Sequence, residues 1–310
     1  MSAGAQGEEP RGATTGPLRS PWGPTSEAIG EGKGSMPSTE SAHSIVFSHA
    51  NGFPAGTYRT LFEAWRAAGH TVHAVEKFGH DPLHPPTSNW PHLCRELIHL
   101  VERECTQPAY LVGHSLGGYV SVLAAAKRPD LVRGVVLIDS PLLTGLLARA
   151  LQIAKPLGLV KRFSPGQISK RRRQHWPSAD AAFDHFAAKP MFARWQPEVL
   201  RDYIACGLQP DANGQTLAFR REIETDIYNT LPHHLDRLLR AHPLQCPMAF
   251  VGGTESEEVR RVGMRATQQL THGQVSWIAG SHLFPFEKPA ETAAEVLRWL
   301  ALFSVAATAD

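Results

Sequence analysis

Two hydrophobic patterns alternate along the chain from residue 44 onward. Short, mostly apolar runs are typical of strands buried on both faces, and each is followed by a longer stretch with apolar residues at helical spacing. The runs predict strands at residues 45–47, 71–75, 109–112, 134–138, 247–251 and 275–278. The longer stretches predict helices at residues 58–68, 91–101, 119–127, 256–270 and 289–302. This alternation predicts an α/β fold, with a mostly parallel central sheet flanked by helices.

The alternation stops between about residues 141 and 243, where helical stretches follow one another without a convincing strand. We interpret residues 141–242 as an inserted helical cap, and residues 43–140 and 243–305 as the α/β core. The first 42 residues are rich in Gly, Pro, Ser, Thr and Glu and contain no apolar stretch of signal-peptide length. They are predicted to be a disordered N-terminal tail.

Ser115 lies in the sequence GHSLGG, residues 113–118, where a predicted strand passes into a predicted helix. A G-x-S-x-G turn at such a junction lifts the serine out of the sheet edge, and its glycines let neighbouring backbone pass close by. The turn also puts the Leu116 amide at a helix N-terminus, where an unpaired N–H and the helix dipole favour an oxyanion. Ser115 is therefore predicted to be a nucleophile. A turn serine that caps the helix is the alternative.

Three segments resemble the α/β-hydrolase superfamily: HANGFP at residues 49–54, GHSLGG at 113–118 and GSHLFP at 280–285. The similarity extends from about residue 44 to residue 303. It implies the hydrolase fold with a cap, and the chain order of nucleophile first and histidine last. The resemblance also implies that the Asn51 amide is the second oxyanion donor, beside Leu116.

A serine hydroxyl needs a base within hydrogen-bond reach and a third group that orients the base. His282 is the predicted base, because it follows a predicted strand end at the sheet edge where Ser115 emerges. Two positions in the sequence are candidates for the acid that orients the base. Asp139 ends the strand at residues 134–138, whereas Glu255 and Glu257 follow the strand at 247–251, where the aspartate usual in the family is missing.

The predicted chemistry is acyl transfer. The chain is expected to be a serine hydrolase, carboxylesterase-like, that cleaves a carboxylic ester, or a thioester, lactone or amide, through an acyl-enzyme. The alternatives are a non-catalytic ligand-binding protein with the same fold, and a C–C hydrolase or perhydrolase with the same triad. No cofactor is expected. No metal is expected either, because the histidine pairs lack carboxylate or cysteine partners at ligand spacing. The substrate-binding residues stay unassigned.

Charge and composition limit the kinds of partner that the protein is expected to bind. The 31 Lys and Arg nearly balance the 29 Asp and Glu, which argues against nucleic acid, and a small-molecule acyl substrate is the expected partner. Residues 160–176 carry six Lys and Arg, either as a solvated basic face or as a site for an anionic substrate or partner. No apolar run approaches the ~20 residues of a membrane span, and a cytoplasmic location is expected. The oligomeric state stays open.

Overall fold

A six-stranded sheet forms the centre of the molecule in the computed structural model, which describes residues 43–308. All of its pairings are parallel, in the order β2-β1-β3-β4-β8-β9. Its central strands are continuous apolar runs buried on both faces. The strands are β1 (Ser44–Ser48), β2 (Thr71–Ala74), β3 (Ala109–His114), β4 (Val132–Ile138), β8 (Met248–Gly253) and β9 (Val275–Ile278).

Helices connect the parallel strands and cover both faces of the sheet, and one apolar cluster lies on each face. The core helices are α1 (Arg59–Ala67), α2 (Pro91–Glu104), α3 (Leu116–Lys127), α11 (Glu257–Val262), α12 (Arg265–Leu270), α13 (Phe284–Glu287) and α14 (Pro289–Thr308). The single helix predicted at residues 256–270 is two helices, because Gly263 adopts a φ of +77° between them. The parallel sheet with helices on both faces confirms the predicted α/β fold class.

The chain between β4 and β8 is mostly helical, and we call it the helical insert. Its helices are α4 (Gly145–Ala154), α5 (Leu159–Phe163), α6 (Gly166–Arg171), α7 (Ala179–Ala187), α8 (Pro197–Gly207), α9 (Arg221–Asn229) and α10 (Leu235–Ala241). It also contains a small antiparallel sheet in the order β5-β7-β6, formed by β5 (His175–Trp176), β6 (Leu208–Asp211) and β7 (Gly214–Leu217). The expectation of no strand here was wrong. These strands escaped prediction because they have only two to four residues and lack an apolar run.

The tail predicted at residues 1–42 lies outside the described residues. Within the described residues, no helix is both long and apolar enough to span a bilayer. The carboxyl ends of β3, β4, β8 and β9 meet at one edge of the sheet, where the loops that follow them bring together residues distant in sequence.

Candidate active site

Ser115 occupies the turn between β3 and α3, in a strained backbone conformation. Its φ is +54°, in the left-handed region that residues other than glycine seldom adopt. A Cβ on Gly113 would come within 2.2 Å of the Gly117 backbone, and a Cβ on Gly117 within 1.9 Å of the Ser48 backbone oxygen. Glycine is therefore required at both positions, and the tight turn leaves Ser115 partly exposed at the sheet edge.

Asp139 directly follows β4 and is completely buried. Its Oδ1 accepts a hydrogen bond from the Gly253 N–H at 2.7 Å, and its Oδ2 accepts one from Ser256 Oγ at 2.5 Å. These donors offset the cost of removing the carboxylate from water. Ser256 is also the N-cap of α11, where its hydroxyl accepts from the Val259 N–H at 3.2 Å. The start of α11 thus fixes the hydroxyl that holds Asp139.

His282 lies in the loop after β9, with its Nδ1 2.6 Å from Asp139 Oδ2. Because a carboxylate accepts, Nδ1 carries the proton, and Nε2 is left unprotonated in the neutral ring. Burial lowers the pKa of His282, but the hydrogen bond and charge of Asp139, helped by Glu258, outweigh burial and raise that pKa above its ordinary value. The residues predicted as base and acid, with Asp139 as the acid, are thus in contact.

The acidic residues after β8 lie differently. Glu255 pairs with Arg194 at 2.9 Å, and Glu257 pairs with Arg260, so neither of the alternative acids contacts His282. Glu258, which the sequence analysis did not single out, has its Oε2 3.6 Å from His282 Nδ1. Its position, two residues after the N-cap of α11, offered no signal beyond the group of glutamates at residues 255–258.

A second histidine that the sequence analysis missed connects the three loops of the site. His114, in the middle of the G-x-S-x-G pattern, is fully buried, and burial, followed by the charge of His282, keeps its pKa well below the ordinary value. Its Nε2 lies 2.9 Å from the His282 backbone oxygen, which only accepts, so Nε2–H is the donor. Nδ1 then accepts from the Tyr58 hydroxyl at 2.7 Å, and that oxygen accepts from the Ala50 N–H at 3.1 Å.

This chain of bonds has one consistent direction, from Ala50 through Tyr58 and His114 to His282. It places His282 beside the turn that holds Ser115, because His114 directly precedes the serine. It also connects His282 and the serine turn to the loop at residues 49–54, which resembles the oxyanion loop of the family. The loops that carry Ser115, His282 and Asn51 are therefore held at the same sheet edge.

The loop at residues 49–54 is anchored by His49. Burial lowers the pKa of His49 to about 4, so the ring is neutral. Its Nδ1 donates to the Ala50 oxygen at 2.8 Å, and its Nε2 accepts from the Phe78 N–H at 2.9 Å. Both ring nitrogens therefore hold backbone. Asn51 is buried in this loop, and Leu116 is the first residue of α3, whose early amides lack partners within the helix.

The helical insert packs directly on this loop. Asn51 Nδ2 donates to the Glu224 backbone oxygen at 3.0 Å. The Glu224 side chain is paired with Arg172 at 2.8 Å and accepts from Ser169 Oγ at 2.9 Å. A Cβ on Gly52 would lie 3.0 Å from that carboxylate, so the ion pair fills the space above the loop. Arg172, from the basic run at residues 160–176, is thus mostly buried in an ion pair, which the two interpretations of that run did not anticipate.

Asp139, Glu258 and His282 also group ligand-type atoms within 4.8 Å of one another. Two oxygen ligands and one nitrogen are a donor set that divalent metals use. Here, however, both oxygens of Asp139 and Nδ1 of His282 already take part in hydrogen bonds. These bonds explain the cluster as a hydrogen-bonded acid–imidazole pair.

Comparison with known proteins agrees with this architecture. A sequence profile of the alpha/beta hydrolase family matches residues 45–295. Two solved structures share the fold across 84% of this chain and 92% of theirs: E-2-(acetamidomethylene)succinate hydrolase, with a TM-score of 0.67 and 22% identity, and the thioesterase domain from the curacin biosynthetic pathway, with a TM-score of 0.64 and 18% identity. The chain belongs to the alpha/beta hydrolase family.

Two curated relatives have names that refer to hydrolases. A serine hydrolase-like protein of Dictyostelium discoideum is 21% identical over 279 residues, which are 84% of this chain and 76% of the relative. The sn-1-specific diacylglycerol lipase of Mus musculus is 30% identical over 118 residues, which are 37% of this chain and 36% of the lipase. The match to the lipase therefore covers only about a third of that enzyme.

Proposed function

We propose that this protein is a serine hydrolase that cleaves a carboxylic ester, with Ser115 as nucleophile, His282 as base and Asp139 as the acid that orients the base. The observation that carries the proposal is the 2.6 Å contact between His282 Nδ1 and the fully buried carboxylate of Asp139. This contact leaves Nε2 unprotonated, as a base requires. The hydrolase relatives support the same class of reaction.

In the proposed reaction, Ser115 Oγ attacks the ester carbonyl carbon while His282 Nε2 takes the hydroxyl proton. The carbonyl oxygen becomes an oxyanion, which the Leu116 and Asn51 amides stabilise. The carbon–oxygen bond to the alcohol then breaks, and the alcohol leaves with the proton from His282. A water molecule, deprotonated by His282, attacks the acyl-enzyme and releases the acid and free Ser115.

The Asp139 carboxylate keeps the proton of His282 on Nδ1 and stabilises the imidazolium formed in each step. Glu255 and Glu257 are the less suitable acids, because each is paired with an arginine. The helical insert is proposed to be the cap over the site, since Glu224 and Arg172 cover the loop that contains Asn51. No metal or organic cofactor has a step in this mechanism.

The proposal is tested with a fluorophosphonate probe, which reacts with an activated serine. Wild-type protein is expected to be labelled, and Ser115→Ala is expected to lose labelling completely. Ser121→Ala is the matched control, because Ser121 is a buried serine of α3 whose hydroxyl donates to the Gly117 oxygen. A panel of chromogenic esters, thioesters and lactones then ranks the substrates. A folded wild type that is neither labelled nor active would instead support a ligand-binding protein.

A further inference from the structure

The helical insert contains a segment of unusual charge. From residue 140 to residue 179 the chain has eight Lys and Arg and neither Asp nor Glu. The whole chain has 31 bases and 29 acids, so outside this segment the acids outnumber the bases. A near-neutral protein therefore has a local excess of positive charge in one part of its insert. Such a local field attracts anionic partners even when the net charge is small.

The same segment exposes large apolar side chains. Six of the eleven large hydrophobic residues that are exposed in the described part of the chain lie between residues 146 and 168, so they are clustered rather than scattered. Leu146 is 81% exposed, Ile168 78%, and Ile153 and Leu157 65% each. Single exposed apolar residues are ordinary, but a group of them on one surface marks an interaction site.

The cations and the apolar residues share one surface, formed by α4, α5 and α6, which we call the α4–α6 surface. Arg149, Ile153 and Leu157 line one shallow depression. Lys161 and Arg171 line a second depression. Gly158, which directly follows Leu157 in the chain, lines it too. Among the described residues, no carboxylate pairs with the side chains of these cations or of Lys170. Their charge therefore remains available to a partner.

We propose that the α4–α6 surface docks this protein on a lipid bilayer that contains anionic headgroups. Apolar side chains enter the boundary between headgroups and acyl chains, and the surrounding cations contact the lipid phosphates and carboxylates. Both chemistries of the surface are then satisfied by one partner. The attachment is peripheral, and it does not depend on the proposed hydrolase activity.

A second copy of the chain fits this surface less well. Symmetric self-association would place the same cationic surface on both sides of the interface, and like charges brought face to face oppose binding. An acidic protein would satisfy the charges, but highly exposed leucine and isoleucine side chains on three short helices also require an apolar medium. A bilayer surface supplies that medium next to its negative charge.

The inner side of α6 explains how this surface can be altered without disturbing the candidate active site. Ser169 is buried and bonds to Glu224, and Arg172 pairs with the same carboxylate just after α6. Ile168, Lys170 and Arg171 are exposed on the other side. Substitution of these outer residues leaves the bonds to Glu224 intact.

Vesicle cosedimentation of the full chain tests the proposal. Wild-type protein is expected to sediment with vesicles of phosphatidylcholine mixed with phosphatidylserine, and much less with phosphatidylcholine alone. The variant Lys161→Ala/Lys170→Ala/Arg171→Ala is expected to bind the mixed vesicles about 100-fold more weakly, since each cation near an anionic surface contributes about a factor of 5. Added salt is expected to weaken wild-type binding.

A control variant removes the same amount of charge elsewhere. Arg95→Ala/Arg240→Ala/Arg265→Ala changes three arginines that are exposed on other helices and have no acidic partner among the described residues. Its binding is expected to stay within about threefold of wild type, because only the cations that face the bilayer contribute. Equal losses in the two triple variants would overturn the proposal, since net charge alone would then explain binding.

The apolar component has its own test. Ile168→Ser is expected to weaken binding to the mixed vesicles by about 10-fold, whereas Leu302→Ser, at an exposed leucine of α14, leaves it unchanged. Circular dichroism and thermal melting check that each variant is folded. The proposal is wrong if folded wild type fails to bind mixed vesicles, or if the α4–α6 triple variant converts a wild-type dimer to a monomer in sedimentation velocity.

Discussion

The ends of β4 and β8 both offer carboxylates to His282, but they offer them in opposite environments. Asp139, after β4, is completely buried and held by a backbone amide and a serine hydroxyl. After β8, the side chains of Glu255, Glu257 and Glu258 are 56%, 60% and 42% exposed, and two of them are paired with arginines. A carboxylate fixed out of water orients an imidazole more strongly than several carboxylates in water, where charge is screened.

The largest expected effect comes from Asp139→Asn. An amide at this position donates a hydrogen bond toward Nδ1, so the ring proton moves to Nε2 and the proposed base is lost. We expect kcat for a chromogenic ester to fall by about 10³- to 10⁴-fold, with the protein still folded. Full activity in a folded Asp139→Asn variant would eliminate Asp139 as the acid and direct attention to Glu258.

Ser256→Ala is expected to have the second-largest effect on activity. It removes a hydrogen bond to a buried carboxylate, which contributes about 1.5–3 kcal/mol, and it also removes the N-cap of α11, which contributes about 1 kcal/mol. We expect kcat to fall by roughly 10-fold and the melting temperature to drop. Ser256→Thr keeps the hydroxyl and is expected to restore most of both. Equal kcat in the alanine and threonine variants would show that the hydroxyl does not position Asp139.

Glu258→Gln tests whether Glu258 changes only the pKa of His282 or also orients its ring. An imidazole acts as a base only when neutral, so activity is expected to be lost as the pH falls through the raised pKa of His282. Glu258 contributes to that raised pKa, and its removal is expected to shift the acid limb of the kcat profile to lower pH while the plateau stays within about threefold. Asp139→Asn shifts the same limb in the same direction but also lowers the plateau. A collapsed plateau in Glu258→Gln would reverse the roles of the two acids.

Glu255→Gln and Glu257→Gln are expected to have the smallest effects. Both carboxylates form exposed ion pairs, which typically contribute about 0–1 kcal/mol. Activity and melting temperature are expected to stay within about twofold and a few degrees of wild type. A loss of more than 10-fold in either variant, measured with the same ester, would contradict the difference between the two strand ends.

The sequence predicted the features that depend on local pattern. Short, mostly apolar runs marked the six strands of the central sheet, and the G-x-S-x-G spacing marked a turn that only glycines at residues 113 and 117 permit. The strands of the insert escaped prediction because two to four residues are too few for a period. Position within an acidic run likewise did not reveal that Glu258, rather than its neighbours, faces His282.

Long-range partners were beyond what the sequence reveals. His114 looked like the variable residue of the serine motif, but its two ring nitrogens bond to Tyr58 and His282, which are 56 and 168 residues away. Arg172 looked like one cation among several, but it is mostly buried and paired with Glu224. Pairings at such separations depend on the folded topology, which spacing along the chain does not encode.

The bonds of His114 also determine when the site can exist during synthesis. One imidazole connects Tyr58, from the first part of the core, to the loop of His282, which is itself held by a bond from Ser281 Oγ to Glu287 at 2.5 Å. A chain still growing on the ribosome therefore contains the sequence of the serine turn long before it contains the proposed base, His282. The proposed nucleophile and the proposed base therefore meet only after most of the chain has been translated.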